Sequence, residues 1–409
     1  MSALNEIQAV DRRSFLTRAG RGLLAASLTP AMLQLAAAAD PLGRGNSPQP
    51  VTAAGGEPLP QDQRIGFALV GLGRLTMGQL IPAFRTSKRA KLVALVSGDS
   101  GKAHKVAQEN GVKSEAVYDY KTFDRIRDNA DVRVVYNVLP NSMHAEYTIR
   151  AAQAGKHVLC EKPMETSSAK CQQMIDACNK ANVKLMIAYR IQYEPMNRAI
   201  HKMVRDQTFG PVKLIESANS QMVEKMEWRL NKELSGSGAV GDVGVYCINT
   251  IRFLLGEEPI EVFARATQPL NDPRFKEVAA STAWQMRFPS GVLANCSCSF
   301  DAHDTKEYRI IADRGTFGMN PAFPYRGLKM FSQPNDPPLP PIPESDQFAN
   351  EMDHMADCVL HNRQPYTPGE EGLQDQRIIE AILESAGCDK SVALPRVDKI
   401  DAFRGSVPT

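Results

Sequence analysis

The stretch Arg64 to Gly78, RIGFALVGLGRLTMG, limits the fold more than any other part of this chain. A run of apolar residues from Ile65 to Val70 ends at Gly71, and Gly73 follows two positions later. That pattern reads as a buried strand entering a glycine turn that opens a helix. Such a turn leaves bare backbone N–H groups at a helix start, where a pyrophosphate can sit. The third glycine of the usual fingerprint is replaced by Thr76, so the third contact differs from the common one. A tight strand-to-helix turn with no ligand would give the same local pattern, and the rest of the chain has to decide between the two.

With 409 residues the chain has room for two domains, each with its own core. Charged residues make up 23% and hydrophobic residues 43%, as in ordinary soluble proteins. The net charge of +2 gives no reason to expect nucleic acid. Residues 1–39 hold four arginines and two acids, so the chain without them is neutral. Arg12-Arg13-Ser14-Phe15-Leu16 reads as a twin-arginine export signal. It is followed by a mildly apolar stretch, 22–35, too short to span a bilayer, and by small residues at 36–39 suited to cleavage. The expected location is the periplasm, reached through the twin-arginine export machinery, with no membrane segment in the mature form. That route carries folded proteins, so a nucleotide can be loaded before export and then has to be held tightly. None of the eight cysteines forms a C-x-x-C pair, and metal-ligand spacing with histidine is absent, so no metal site is expected. Most lie in apolar runs, as buried free thiols do.

Residues 40–63, rich in Pro, Gly, Ala and Gln, read as an extended arm. From residue 64 strand and helix patterns alternate. Short apolar runs at 92–96, 134–138, 157–160 and 184–189 are separated by helical segments at 102–110, 142–154 and 167–182. That alternation means βαβ units and a parallel sheet, ending near residue 190. The remainder, 191–409, has helical segments at 193–206 and 240–255. Consecutive strands at 260–266, 280–288, 291–299, 308–313 and 316–319 follow, then two more helices at 348–360 and 370–387. Strands in succession indicate a mixed or antiparallel sheet. The fold class is therefore α/β: an N-terminal Rossmann-type doubly wound parallel sheet plus a C-terminal α/β domain with a large mixed, mostly antiparallel open sheet.

Four groups of residues carry candidate chemistry. The strand at 92–96 ends in Ser97 where an NAD-binding strand carries an acid, and Lys102 follows. A hydroxyl and an ammonium suit a 2′-phosphate, which favours NADP. Asp99 in another register could still approach the ribose, and Lys102 could be a solvated helix charge. Pro140 ends the fourth strand, Asn141 or Ser142 can cap the next helix, and His144 lies on its first turn, either at the ligand or simply packed there. Glu161 and Lys162 close the fifth strand before Pro163. Asp242 and Tyr246, four apart, share a helix face after a flexible Gly236-Ser237-Gly238 approach. A neighbouring ammonium can lower a tyrosine from about 10 by roughly one to three units, making it a usable acid/base for an alcohol–carbonyl pair.

The stretches VGLGR, VSGDSGK, LPNSMHAEY, AGKHVLCEKPM, KLMIAYR, YEPMNRA, EWRL, GDVGVY, LLGEEPIEV, WQMRFPSG and TPGEEGLQD together resemble the glucose–fructose oxidoreductase family, a branch of the Gfo/Idh/MocA dehydrogenases. The resemblance runs from about residue 65 to about residue 392. It implies NADP held through turnover, with Gly71, Leu72, Gly73 and Arg74 at the pyrophosphate and Ser97 and Lys102 at the 2′-phosphate. Pro140, Asn141, His144, Glu161 and Lys162 would surround the nicotinamide end, and Arg190, Trp228 and Arg229 match further cofactor positions. Lys162, Asp242 and Tyr246 would be catalytic, oxidising an aldose such as glucose to its lactone and reducing fructose or another sugar to an alditol. The resemblance also implies that the arm packs on a neighbouring subunit of a homodimer or homotetramer. Ile191-Gln192 departs from the family pattern and leaves the accepting sugar open. Two readings keep the fold but not the cycle: a sugar or diol dehydrogenase with exchangeable nucleotide, and a nucleotide-binding sensor without turnover.

Overall fold

The computed structural model describes residues 57–405 and 407–408. The export signal at 1–39 and residues 40–56 of the arm lie outside the described residues. Of the arm's end, Leu59 donates its N–H to the Lys88 carbonyl at 2.9 Å.

Six strands form the first sheet: β1 Ile65–Val70, β2 Ala90–Val96, β3 Val117–Tyr118, β4 Val134–Asn137, β5 His157–Glu161 and β6 Leu185–Ala188. Their order is β3-β2-β1-β4-β5-β6, all parallel. β1 and β4 are buried at every position, as strands covered by helices on both faces must be. The helices are α1 Ile81–Thr86, α2 Ser100–Glu109, α3 His144–Gln153, α4 Ser168–Lys180, α5 Pro195–Arg205, α6 Lys232–Ser235, α7 Val245–Leu255, α8 Gln347–Leu360 and α9 Gly369–Cys388. The order reverses between β1 and β4. A crevice opens there at the carboxyl ends of the strands, where ligands bind in doubly wound sheets.

The second sheet has eight strands: β7 Val212–Ser220, β8 Glu261–Thr267, β9 Ser281–Arg287, β10 Leu293–Ser299, β11 Thr305–Ala312, β12 Thr316–Met319, β13 Met330–Gln333 and β14 Val392–Ala393. Their order is β13-β12-β11-β7-β10-β9-β8-β14. Only the β7–β10 pair is parallel; the other pairs are antiparallel. β9 alternates buried and exposed residues along its length, the pattern of a sheet with one covered face. Seven cysteines are buried, Cys388 is exposed, and all are free thiols. The helical run 232–255 is long and apolar enough to cross a membrane, but 89% of its apolar window is buried inside the protein, so it serves as a core helix.

The glycine turn has a specific construction. Gly71 has φ +96°, and a Cβ there would stand 2.8 Å from the Val138 carbonyl oxygen, so only glycine fits without strain. The helix begins as a wide π turn, Thr76–Leu80, before α1. Thr76 is fully buried and donates its hydroxyl to the Gly71 carbonyl at 2.6 Å. The residue that breaks the glycine fingerprint therefore ties the turn shut.

Candidate active site

A cleft of about 860 Å³ lies over the carboxyl ends of β1, β2, β4, β5 and β6. That is at the upper end of the roughly 300–1,000 Å³ of small-molecule sites. Every cofactor-binding and catalytic residue named from the sequence borders it. The first wall is the turn Gly71–Arg74. A Cβ on Gly73 would meet nothing of the protein within 4 Å, so its bare backbone faces open space, as close approach of a phosphate requires. At the end of β2, Ser97 is buried and its Oγ accepts from the Asp99 N–H at 3.1 Å. Asp99 caps α2 by accepting from the Lys102 N–H at 2.9 Å, which takes one of its oxygens into the cap. Lys102 turns its ammonium back to the Leu72 carbonyl and stands between β2 and the glycine turn. These residues suit an adenosine ribose carrying a phosphate: hydroxyl and ammonium are present, and Asp99 is committed to the cap. Tyr120, one of the lining residues not expected from the sequence, closes this end of the cleft.

The segment after β4 differs from its expected role. Asn141 does not cap α3; its amide donates to the Ser235 carbonyl at 2.9 Å and ties the turn after Pro140 to the C-terminal half. His144 is fully buried. Its Nδ1 lies 3.0 Å from the Pro163 carbonyl and its Nε2 lies 2.9 Å from the Leu139 carbonyl. The ring links the two loops that flank the cleft. Burial pushes its pKa below the usual histidine value, against the pull of those carbonyls.

The catalytic candidates converge where β5 and β6 end. Lys162 donates to the Asp242 backbone carbonyl at 2.7 Å and lies 3.4 Å from its Oδ1. Burial, which alone would lower the Lys162 pKa, is outweighed by Tyr246, Asp242 and Glu161, so the group is held as an ammonium. Asp242 also accepts from Arg229 Nε at 2.9 Å. Burial alone would raise its pKa, but Lys162 and Arg229 together hold it below the usual carboxylate range. Arg229 continues to Glu227 at 3.0 Å, and Glu227 pairs with Arg74 on the glycine turn. A chain of alternating charges thus spans the cleft mouth, with Trp228 beside it.

Tyr246 departs from the sequence expectation in one respect. The Lys162 ammonium packs over the face of its ring, 4.7 Å from the centroid. The donor to its hydroxyl is Arg190, through Nε at 3.1 Å. Arg190 is buried and is itself fixed by the Phe323 carbonyl at 2.6 Å and Gln347 Oε1 at 2.5 Å. Its guanidinium also stacks on Tyr325 at 4.7 Å and Phe348 at 5.7 Å. Neither aromatic carried a signal in the sequence, because both arrive from the far C-terminal part of the chain. Gln192 is absent from the cleft wall: it is fully buried and donates to Asn249 Oδ1 at 2.8 Å. Of the unusual 191–192 pair, Gln192 therefore does not reach the cleft.

Residues 65–189 match the oxidoreductase family with an NAD-binding Rossmann fold, and residues 197–318 match the Gfo/Idh/MocA C-terminal domain. The D-xylose 1-dehydrogenase [NADP(+)] of Haloarcula marismortui is 32% identical over 345 residues, covering 81% of this chain and 94% of that protein. The NADP(+)-dependent D-xylose 1-dehydrogenase 2 of Haloferax volcanii is 28% identical over 333 residues, covering 80% and 99%. Among solved structures, the aldose–aldose oxidoreductase from Caulobacter crescentus, complexed with glycerol, is similar at a TM-score of 0.79 and 40% identity, over 81% of this chain and 100% of that one. The six-stranded parallel sheet, the second mixed sheet and these matches agree, and the chain belongs to the Gfo/Idh/MocA oxidoreductase family.

Proposed function

We propose that this sugar oxidoreductase oxidises an aldose at C1 to its lactone and reduces a second sugar to an alditol, holding its nucleotide between the two half-reactions. The cofactor is NADP, and when bound it supplies reversible hydride transfer. The turn Gly71–Arg74 would hold the pyrophosphate, Ser97 and Lys102 the 2′-phosphate, and Trp228 and Arg229 the strap above it. The observation that carries the reading is the convergence of Tyr246, Lys162, Asp242 and Arg190 on the cleft that begins at the glycine turn. Tyr246 takes the proton of the sugar hydroxyl when an alcohol is oxidised and returns it when a carbonyl is reduced. Arg190 donates to the phenol oxygen, and Lys162 lies over the ring; both face the negative charge that develops as the proton leaves. Asp242, held ionised, accepts a sugar hydroxyl and orients the substrate.

The sequence leaves the accepting sugar as fructose or another aldose. The similarity to an aldose–aldose oxidoreductase supports an aldose in that place as well. Export to the periplasm, suggested by Arg12-Arg13, accords with a captive nucleotide. One experiment tests the reading. Protein purified without added nucleotide is denatured and the released NADP assayed, while native protein is incubated with glucose or xylose alone and then with fructose or a second aldose. The expected result is about one nucleotide per chain and paired formation of lactone and alditol, with ping-pong kinetics. Turnover that depends on added NADP and on a single sugar would instead make this an ordinary dehydrogenase. Tyr246→Phe should lower kcat by about 10²–10⁴ and leave bound NADP in place.

A further inference from the structure

Behind the cleft wall lies a chain of three buried oxygen groups that the reaction as described does not use. The Tyr136 hydroxyl on β4 is 2.8 Å from Glu161 Oε1 on β5 and 2.9 Å from Glu351 Oε1 on α8. Tyr136 and Glu351 are fully enclosed, and Glu161 is buried apart from its edge on the cleft. A phenol has one proton to give. If both carboxyls were ionised, one of them would face the phenol oxygen with no proton between them, and two like charges would share a dry space. One carboxyl must therefore carry a second proton.

The surroundings decide which. Glu161 has the Lys162 ammonium beside it, and its Oε2 accepts from the Lys162 N–H at 3.3 Å. Glu351 Oε2 has no hydrogen-bond partner. Arg190, after β6, favours charge on both carboxyls. Glu351 is further disfavoured as an anion by Glu161 and by Asp346 at the head of its own helix, and the Tyr193 phenol lies close by. Burial raises both carboxyls, Glu351 well above the ordinary glutamate range.

We propose that Glu351 is a positioning residue: held as a neutral acid, it donates to the Tyr136 oxygen, so that Tyr136 donates to Glu161 and Glu161 remains the charged carboxylate beside Lys162. The direction of every proton in the chain is then fixed from the interior toward the cleft. The functional consequence rests on the reading that Lys162, which the Glu161 charge faces, serves the reaction; the protonation itself does not.

Infrared difference spectroscopy on the full-length protein at pH 7 separates the two. The carbonyl stretch of a protonated carboxylic acid should be present in the wild type and absent in Glu351→Gln. Its survival unchanged in Glu351→Gln overturns the assignment whether or not the enzyme is active on sugars. The kinetic arm reads the acid limb of kcat/KM. Tyr136→Phe removes a donor to the charged form of Glu161, so the proton affinity of Glu161 rises and the limb moves to higher pH, giving about tenfold lower activity on the acid side and recovery in base. Glu351→Gln retains an N–H donor toward Tyr136 and should keep the limb near its wild-type place. A limb moved to lower pH by Glu351→Gln would mean that Glu351 bears the charge, and the proposal would fail.

Discussion

Tyr246 has its phenol between two cations that meet it in different ways. Lys162 lies on the ring face, and Arg190, whose guanidinium is also 4.8 Å from the ring centroid, donates to the hydroxyl. The residues of the EKP stretch and the tyrosine were legible in the sequence, and the structure brings them together. The donor to the hydroxyl was not legible. Arg190 and Tyr246 are 56 positions apart, and no periodicity links the end of β6 to the start of α7. The same holds for Gln347 and Phe348, which fix the guanidinium from α8. A planar fork is needed to reach Tyr246, Gln347 and the Phe323 carbonyl at once, and a lysine cannot supply it. Arg190→Lys should therefore lower kcat by about 10- to 100-fold, the loss of one charge-assisted hydrogen bond in the transition state. Steady-state kinetics on protein with its NADP content measured decides the matter. Unchanged kcat at full nucleotide occupancy would remove Arg190 from the proton-transfer group.

The glycine turn separates folding from binding within a single element. Gly71 and Gly73 are two residues apart and look alike in the sequence, yet they face different things. Gly71 has a positive φ and abuts the Val138 carbonyl, whereas Gly73 faces only the cleft. Gly71→Ala should cost stability, about 1–3 kcal/mol from backbone strain alone, seen as a lowered denaturation midpoint. Gly73→Ala should leave the midpoint of nucleotide-free protein nearly unchanged and weaken NADP by roughly tenfold, since its methyl occupies the space a phosphate needs. Equal loss of stability in the two variants would mean that Gly73 is also structural. The alternation of strands and helices was legible here because β-branched runs and glycines mark the ends of buried parallel strands. Tyr120 was missed because β3 is only two residues long and gives no strand signal of its own.

At the scale of the whole molecule, α9 packs against both sheets, on β6 and on β8, and α7 packs on β7 and β10 and against α9. The backbone of β6 bonds to the segment before α9: Ile187 donates to the Thr367 carbonyl at 2.8 Å, and the Thr367 hydroxyl donates to the Ile187 carbonyl at 2.7 Å. α7 begins next to the cleft with Tyr246 and ends one face away with Arg252, which is fully buried. Arg252 pairs with Glu258 at 2.6 Å and, on α9, with Glu371 at 3.0 Å and Asp375 at 2.5 Å. Arg404, near the C-terminus, also reaches Glu371, at 2.8 Å. In the sequence α9 reads only as a helical segment at 370–387. The partners of its acids Glu371 and Asp375 come from 119 to 123 positions earlier and from the chain end, so helical periodicity could not show that these acids are buried. Burial raises Asp375, with Glu371 adding to the rise and Arg252 opposing it, while Arg252 and Arg404 together outweigh burial and hold Glu371 below its ordinary value. Replacing Arg252 by Met strands these carboxylates without their main cation. Breaking a buried pair from one side costs about 3–5 kcal/mol. The cost should depend on pH with a definite sign. Without the guanidinium, Asp375, already raised, rises further and Glu371 rises with it, so the folded state of the variant binds protons that the unfolded chain does not. Stability contributed in that way is present at low pH and is lost as pH rises through the folded-state values. Thermal denaturation of Arg252→Met and wild type should thus show a small deficit at pH 5 and a larger one at pH 8. The same deficit at both values would mean that the carboxylates keep their charge without Arg252, and that water or Arg404 alone suffices to hold the helix carrying Tyr246 in place.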